Sequence, residues 1–200
     1  MNMWMMLGLA VGAYVVGSIP FGIVASNIFK VQDPRKAGSG NIGFTNVLRV
    51  SGKKAGLVTL IGDSGKGLMV ASLGKHFLVH DYWILLVALA VIIGHMFSCF
   101  LSFHGGKGVA TGLGTIFGID SGLGLILLMI WLGIFLIWRY SSVSGIGAFA
   151  VFPLLVYCFD YSWDMGLFSL CVSFLVIARH KDNIIRMFQG TESKVGNYSS

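Results

Sequence analysis

Charge is what this sequence has least of. Only 11% of its 200 residues are charged, against roughly a quarter in soluble domains. With so little polar surface to offer water, most of the chain has to meet lipid. The net charge of +6 does not indicate a nucleic-acid partner, because the basic residues cluster at the ends of apolar runs, where membrane orientation places them. Cysteine is scarce too. Cys99, Cys158 and Cys171 cannot all pair, lack metal-ligand spacing and lie in or beside apolar runs. They read as small buried hydrophobes. No basic stretch precedes the first apolar run, so a retained first helix is expected rather than a cleaved signal peptide.

Hydrophobic residues make up 56% of the chain. The expected fold is all-α: a polytopic integral membrane protein of about seven short transmembrane helices, forming one domain over residues 1–200. The expected spans are Trp4–Phe29, interrupted at Gly17, Ser18 and Pro20, then Ala55–Leu73, Tyr82–Cys99, Val109–Ile119, Gly122–Trp138, Val143–Phe159 and Met165–Ala178. Several fall short of the roughly 20 residues an upright helix needs, which local thinning can accommodate. Gly8/Gly12, Gly52/Gly56 and Gly118/Gly122 have the small-xxx-small spacing of close helix packing.

Charge then orients the chain. With seven spans and the N-terminus outside, the inward set is Lys30, Arg35, Lys36, Arg49, Lys53, Lys54, Lys107, Arg139, Arg179, Lys181, Arg186 and Lys194, twelve of the 14 Lys and Arg residues. Lys75 faces out and Lys66 lies within a span. The outward turns carry Asp81, Asp120, Asp160 and Asp164. The positive-inside rule selects this arrangement. A five-span alternative with two buried or re-entrant segments keeps the same sidedness.

Three polar segments fall on that cytoplasmic side. In GSGNIGFTN (38–46), Gly38, Gly40 and Gly43 allow left-handed backbone and an anion-binding nest of amides. Ser39 and Thr45 add hydroxyls, and Asn41 and Asn46 add amides. Arg49 follows on the helical face of Asn46 and offers a bidentate fork to phosphate. The same residues also suit a capped turn whose Asn side chains serve only the loop backbone. In FHGGKGVAT (103–111), Gly105, Gly106 and Gly108 surround Lys107 ahead of a helix N-terminus, a second anion cradle or a flexible turn with an orienting lysine. It is not a nucleotide-binding P-loop, since the required upstream glycine is missing. In RHKDNIIRMFQGTE (179–192), His180, Asn183 and Arg186 recur on one face of an interfacial helix, with Gly190 breaking it and Glu192 following; a basic surface tail has the same composition.

Two features lie within the apolar runs. Asp63 and Lys66 are three residues apart, so they can pair on one helix face, as a packing bridge or as part of a substrate pocket. His95 ends an apolar run, and an intramembrane histidine usually faces a polar cavity. His95, His180 and Asp63 have no metal-ligand spacing, so no metal and no cofactor are expected.

In order and spacing these elements resemble the bacterial acyl-phosphate:glycerol-3-phosphate acyltransferase family, over residues 4–195. GSIPFG in the first span, GSGNIGFTN with Arg49, the Asp63–Lys66 pair, GHMFSCFLSFHGGKGVAT and the RHKDNIIR tail with Glu192 carry the resemblance. It implies a seven-helix enzyme of the bacterial inner membrane that makes phospholipid precursors. An acyl group would pass from acyl phosphate to the sn-1 hydroxyl of glycerol 3-phosphate, giving lysophosphatidic acid and inorganic phosphate. The implied catalytic residues are His95, Lys107, Ser39 and His180. The implied substrate-binding residues are Asn41, Asn46, Arg49, Gly105, Gly106, Gly108, Asn183 and Arg186. Asp63, Lys66, Gly38, Gly40, Gly43 and Glu192 would support the pocket. The resemblance also implies contact with membrane lipid and allows coupling to an enzyme that makes acyl phosphate. His95 and a substrate phosphate oxygen both suit the general base. Phe44, Ser98 and His104 depart from the family, which usually has alanine, proline and a basic or amide residue there. A transporter of a small phosphorylated compound is the alternative; it would show paired half-repeats, and none is evident.

Overall fold

The computed structural model describes residues 3–78 and 80–196. The ends of the expected 1–200 domain, residues 1, 2 and 197–200, lie outside them. Among the described residues every regular element is helical: α1 (Met3–Ser18), α2 (Phe21–Ile28), α3 (Phe44–Phe77), α4 (Asp81–Met96), α5 (Val109–Ile119), α6 (Ser121–Trp138), α7 (Ser141–Cys158), α8 (Trp163–Arg179) and α9 (Lys181–Phe188), with 3-10 turns at Pro34–Lys36 and Cys99–Leu101. The fold is an all-α, multi-pass membrane architecture.

Among the described residues three segments are long and apolar enough to cross a membrane: Asp81–Leu101, α6 and α7. The number rises to five if α1–α2, bent by 42°, and α8–α9, bent by 54°, each count as one span. Two expected spans do not qualify by length and composition. α5 has only 11 residues, and α3 is diluted by Lys53, Lys54, Asp63 and Lys66. α3 also begins earlier than expected, so Asn46 and Arg49 sit in its first turns. Its helical path breaks at Gly52, whose φ of 87° is a left-handed value.

The chain forms two compact units, Met1–Ser121 and Gly122–Ser200. In the first, α3 packs on α2, α4 and α5, and α1 packs on α4. Glycine permits the closest crossings, and of the expected pairs Gly118 is at one, where a Cβ would strike Leu68 O and Ala71 of α3. A Cβ on Gly17 would strike the Val91 backbone, one on Gly94 the Tyr14 backbone, one on Gly67 the Thr111 backbone and one on Gly114 the Ser64 backbone. Gly8 and Gly12 have open space instead. Small-xxx-small spacing marks where helices can approach, and only some such positions are used.

Pro20 breaks α1 from α2 because it lacks the amide that would continue the ladder. The freed carbonyls find other donors. Ser98 Oγ donates to Ser18 O at 2.6 Å and Lys66 Nζ to Ile19 O at 2.9 Å. In the second unit, where α7 packs on α8, Pro153 likewise leaves Phe149 O without its helical partner. Ser173 Oγ on α8 supplies the hydrogen bond at 2.5 Å. Such side-chain rescue is how prolines are accommodated within membranes. The three cysteines are exposed, not buried. In lipid an apolar residue does not have to face the core, so apolarity alone could not place them.

Candidate functional site

The first polar cluster in unit one is the loop from 37 to 43. Gly38 (φ 61°) and Gly40 (φ 70°) hold left-handed backbone that other residues adopt at a cost. Asn46, buried at the start of α3, braces this loop. Its Nδ2 donates to Pro34 O at 2.9 Å and Asn41 O at 2.9 Å, with Ala37 O at 3.2 Å. Its Oδ1 accepts from Ser39 N at 2.9 Å. Asn41 Oδ1 accepts from Gly43 N at 2.8 Å. Both asparagines therefore serve the loop backbone. Ser39 is left exposed at the loop tip. Arg49 Nε is buried and has no hydrogen-bond partner among the described residues.

The second cluster forms where α4 ends. The chain turns through Cys99–Leu101, passes two left-handed non-glycine residues, Ser102 (φ 50°) and Phe103 (φ 63°), and folds back onto α4. Gly105 N donates to Met96 O and Gly106 N to His95 O, both at 3.0 Å. Only glycine fits there. A Cβ on Gly105 would collide with the His95 carbonyl, and one on Gly106 with His95 Nε2. Gly108, at φ 85°, starts α5. Lys107 is thereby held half-buried between the His95 backbone and a helix N-terminus, a position that favours anions.

His95 itself rests on charges. Lys66 Nζ lies 2.9 Å from Asp63 Oδ1 and 3.0 Å from His95 Nδ1, and Asp63 Oδ1 is 3.3 Å from His95 Nδ1. The side chains of Asp63 and Lys66 are 3% and 2% exposed, so neither charge would be tolerable without the other. The sequence pairing of Asp63 with Lys66 is what the fold builds. The adjoining partners, His95 and Ile19, are additions that sequence spacing did not give.

The third cluster belongs to unit two. Glu192 Oε1 accepts from Ser142 Oγ at 2.7 Å and Asn183 Nδ2 at 2.6 Å, and Oε2 accepts from Arg186 Nε at 2.8 Å. Burial pushes the Glu192 carboxyl up, but hydrogen bonds from Ser142, Asn183 and Arg186, with the charge of Arg186, outweigh it and hold the group below its ordinary range. His180, buried at the α8–α9 bend, places Nδ1 2.7 Å from Val176 O. A carbonyl only accepts, so the ring proton sits on Nδ1. Ser142 was missed in the sequence; a single serine at a helix start carries no signal of its own. Among the described residues no three metal-ligating side chains converge.

Of the three departures from the family pattern, Ser98 is the most informative. Its φ of −63° is the value proline would impose, so the backbone path is kept while Oγ gains its bond to Ser18 O. His104 Nδ1 lies 2.7 Å from Ser102 O, at the exposed edge of the loop. Phe44 opens α3 directly after its cap, Gly43.

A family model described as glycerol-3-phosphate acyltransferase matches residues 7–190, across both units. The glycerol-3-phosphate acyltransferase of Nitrosospira multiformis is 41% identical over 199 residues, 98% of each chain. That of Ehrlichia canis is 46% identical over 183 residues, 92% of this chain and 95% of its own. Among solved structures, PlsY (YgiH), an integral membrane glycerol 3-phosphate acyltransferase, is similar in its glycerol 3-phosphate form, with a TM-score of 0.90, 38% identity and 96% of each chain covered. Its lysphosphatidic acid form gives 0.87 at 37% identity, with 94% of each chain covered.

Proposed function

The chain belongs to the glycerol-3-phosphate acyltransferase family, and on that premise we propose how its residues divide the reaction. The protein is an integral membrane acyltransferase of phospholipid synthesis. It transfers an acyl group from acyl phosphate to the sn-1 hydroxyl of glycerol 3-phosphate, giving lysophosphatidic acid. The hydroxyl oxygen bonds to the acyl carbon, the acyl carbon–oxygen bond to phosphate breaks, and phosphate leaves with that electron pair. The hydroxyl proton ends on the released inorganic phosphate. The leaving group is already good, so the protein's task is to neutralise two phosphates and hold one hydroxyl against one carbonyl.

The observation that carries the assignment is the Gly105–Gly108 loop clamped over the buried His95. Lys107 and the loop amides take the acyl-phosphate phosphate, and His95 serves the reacting carbonyl; His180 is a further catalytic residue by the family resemblance. Ser39 and the unpartnered Nε of Arg49 take the acceptor phosphate. Gly38, Gly40 and Gly43 set the first loop's path; Asn46 holds it, and Asn41, whose Oδ1 accepts from Gly43 N, offers its amide N–H groups to substrate. Asn183 and Arg186, pinned by Glu192, orient substrate oxygens. Asp63 and Lys66 support the pocket from beneath. We read residues 1–200 as one acyltransferase domain, because the family match runs across both units.

The fuller topology is also proposed. It has seven passes through a bacterial inner membrane, with α3 and α5 as the irregular spans, the N-terminus outside, and the C-terminus and all three polar segments in the cytoplasm. The positive-inside distribution supports it. The partners are the two substrates and membrane lipid, with an acyl-phosphate-producing enzyme as supplier and no nucleic acid. The test is reconstitution of purified protein with glycerol 3-phosphate and, in parallel, acyl phosphate, acyl-CoA and acyl-carrier protein. Lysophosphatidic acid with equimolar phosphate is expected from acyl phosphate alone; product from either thioester instead would overturn the donor assignment.

A further inference from the structure

We propose that Gly52 and Gly56 form an elbow in α3 that sets the direction of the Arg49 guanidinium, which makes both glycines positioning residues for the acceptor phosphate. This rests on reading Arg49 as a ligand of that phosphate. Two observations carry it. Gly52 has φ 87° and ψ 176°, a conformation open in practice only to glycine. Nothing would lie within 4 Å of a Cβ there, so backbone conformation alone requires the glycine. Further on, a Cβ on Gly56 would lie 3.0 Å from Leu48 Cα and 3.1 Å from Leu48 Cβ. Residues eight apart on an unbroken helix are about 12 Å apart. Residues 44–51 therefore form a separate arm, folded back against the helix that continues after the elbow.

The arm's contacts depend on that fold-back. Val47 is fully buried with Ala25 of α2 and with Ala55, which lies beyond the elbow. On a straight helix Val47 and Ala55 would not meet. At the arm's end, Ser51 Oγ donates to Gln32 O at 2.7 Å and lies 3.2 Å from Ser26 Oγ on α2. At its start, Asn46 Nδ2 is tied to Pro34 O and Asn41 O. These groups are satisfied within the protein. Arg49 Nε, on the same arm, is buried and has no hydrogen-bond partner among the described residues. A buried donor without an acceptor is costly, and an anionic oxygen removes that cost. The arm thus holds a guanidinium already aimed before substrate arrives, which lowers the cost of binding.

The two glycines divide the work. Gly52 allows the turn, and Gly56 gives the arm room. Their small-xxx-small spacing serves this fold-back within α3 and not a contact between spans. Alanine at 52 must relax toward negative φ, which swings the arm and moves Arg49. Alanine at 56 keeps the turn but pushes Leu48, the neighbour of Arg49, by a few tenths of an ångström. The Gly105–Gly108 loop rests on His95 and Met96 instead. Both changes therefore act on the acceptor side and leave the acyl-phosphate loop in place.

The experiment reads geometry and kinetics separately. Leu48→Cys with Gly56→Cys, in full-length protein lacking the native cysteines, should form a disulfide on oxidation in detergent micelles, because a bridge needs Cβ atoms about 3.5–4.5 Å apart. Adding Gly52→Ala should lower the yield. Initial rates are then measured against glycerol 3-phosphate at fixed acyl phosphate, and the reverse. Gly52→Ala should raise KM for glycerol 3-phosphate about tenfold or more, the scale of losing a hydrogen bond to a charged group. Its kcat and its KM for acyl phosphate should change by less than about twofold, the signature of lost binding and not of lost chemistry. Gly56→Ala should shift the same constant in the same direction by less. Gly65→Ala, helical with open space at its Cβ, should change neither. No cross-link, an unchanged KM for glycerol 3-phosphate in folded Gly52→Ala, or an equal loss against both substrates overturns the proposal. If Gly52→Ala does not fold, the cross-link and Gly56→Ala still decide. If Arg49→Lys leaves acceptor saturation unchanged, the acceptor-site reading falls while the elbow is judged by the cross-link alone.

Discussion

Breaking the Asp63–Lys66 pair tests whether the core of unit one is held by compensated charge. In Lys66→Met the ammonium disappears, leaving Ile19 O and His95 Nδ1 without the donor each has at 2.9 and 3.0 Å and Asp63 without its ion-pair partner at 2.9 Å. In Asp63→Asn the shape is kept but the ammonium loses its counter-charge. Removing one partner of a buried pair costs about 3–5 kcal/mol. The double substitution leaves no unpaired charge and only two orphaned acceptors, at about 1–3 kcal/mol each. The two single costs, about 6–10 kcal/mol together, should therefore exceed the double, about 2–6 kcal/mol, by about 4 kcal/mol, a coupling at or above the upper end for contacting residues. The assay is reversible unfolding in detergent micelles, followed by tryptophan fluorescence for the wild type, both single variants and the double. Single costs that add to within about 0.5 kcal/mol, or singles as stable as wild type, would refute the compensated pair.

Gly106→Ala should lower kcat/KM by about 10²-fold, since its Cβ must displace His95 Nε2, while Lys107→Ala lowers turnover on the same scale in folded protein; unchanged steady-state kinetics in both would remove the loop from the site. Arg49→Lys, which keeps charge but loses the fork, should impair saturation by glycerol 3-phosphate far more than Arg35→Lys, whose guanidinium is already paired with Asp33; equal behaviour in initial-rate curves would make Arg49 an orienting charge only. Because the folded pKa of Glu192 is depressed, the stability it contributes is present above the ordinary glutamate range and lost as pH falls through the lower folded value; Glu192→Gln should flatten that acid limb in unfolding curves measured against pH. For topology, cysteines placed at positions 36 and 194 should be shielded from impermeant reagent in intact cells and those at 81 and 164 labelled, in a background lacking the native cysteines; labelling of 36 and 194 on opposite faces would overturn the orientation.

Composition alone determined that the chain is helical and membrane-embedded. With 11% charge, long apolar runs can satisfy their backbone only as helices in lipid. Glycine runs marked the two loops of unit one, because left-handed backbone and close approach require that residue. The i,i+3 spacing of Asp63 and Lys66 was enough to give their ion pair, a local contact within one helix. Tertiary structure decided the rest. Lys66 meets Ile19 from 47 residues away and His95 from 29, distances over which no periodicity speaks. Asn46 offered two readings, substrate contact or loop brace, and only the positions of Pro34, Ala37 and Ser39 in space turn its amide toward the backbone. The exposed cysteines and the uncrowded Gly8 and Gly12 mark the same boundary. Lipid and protein core are equally apolar, so a helix sequence records that it is buried in one of them, while packing against its neighbours decides which face meets which.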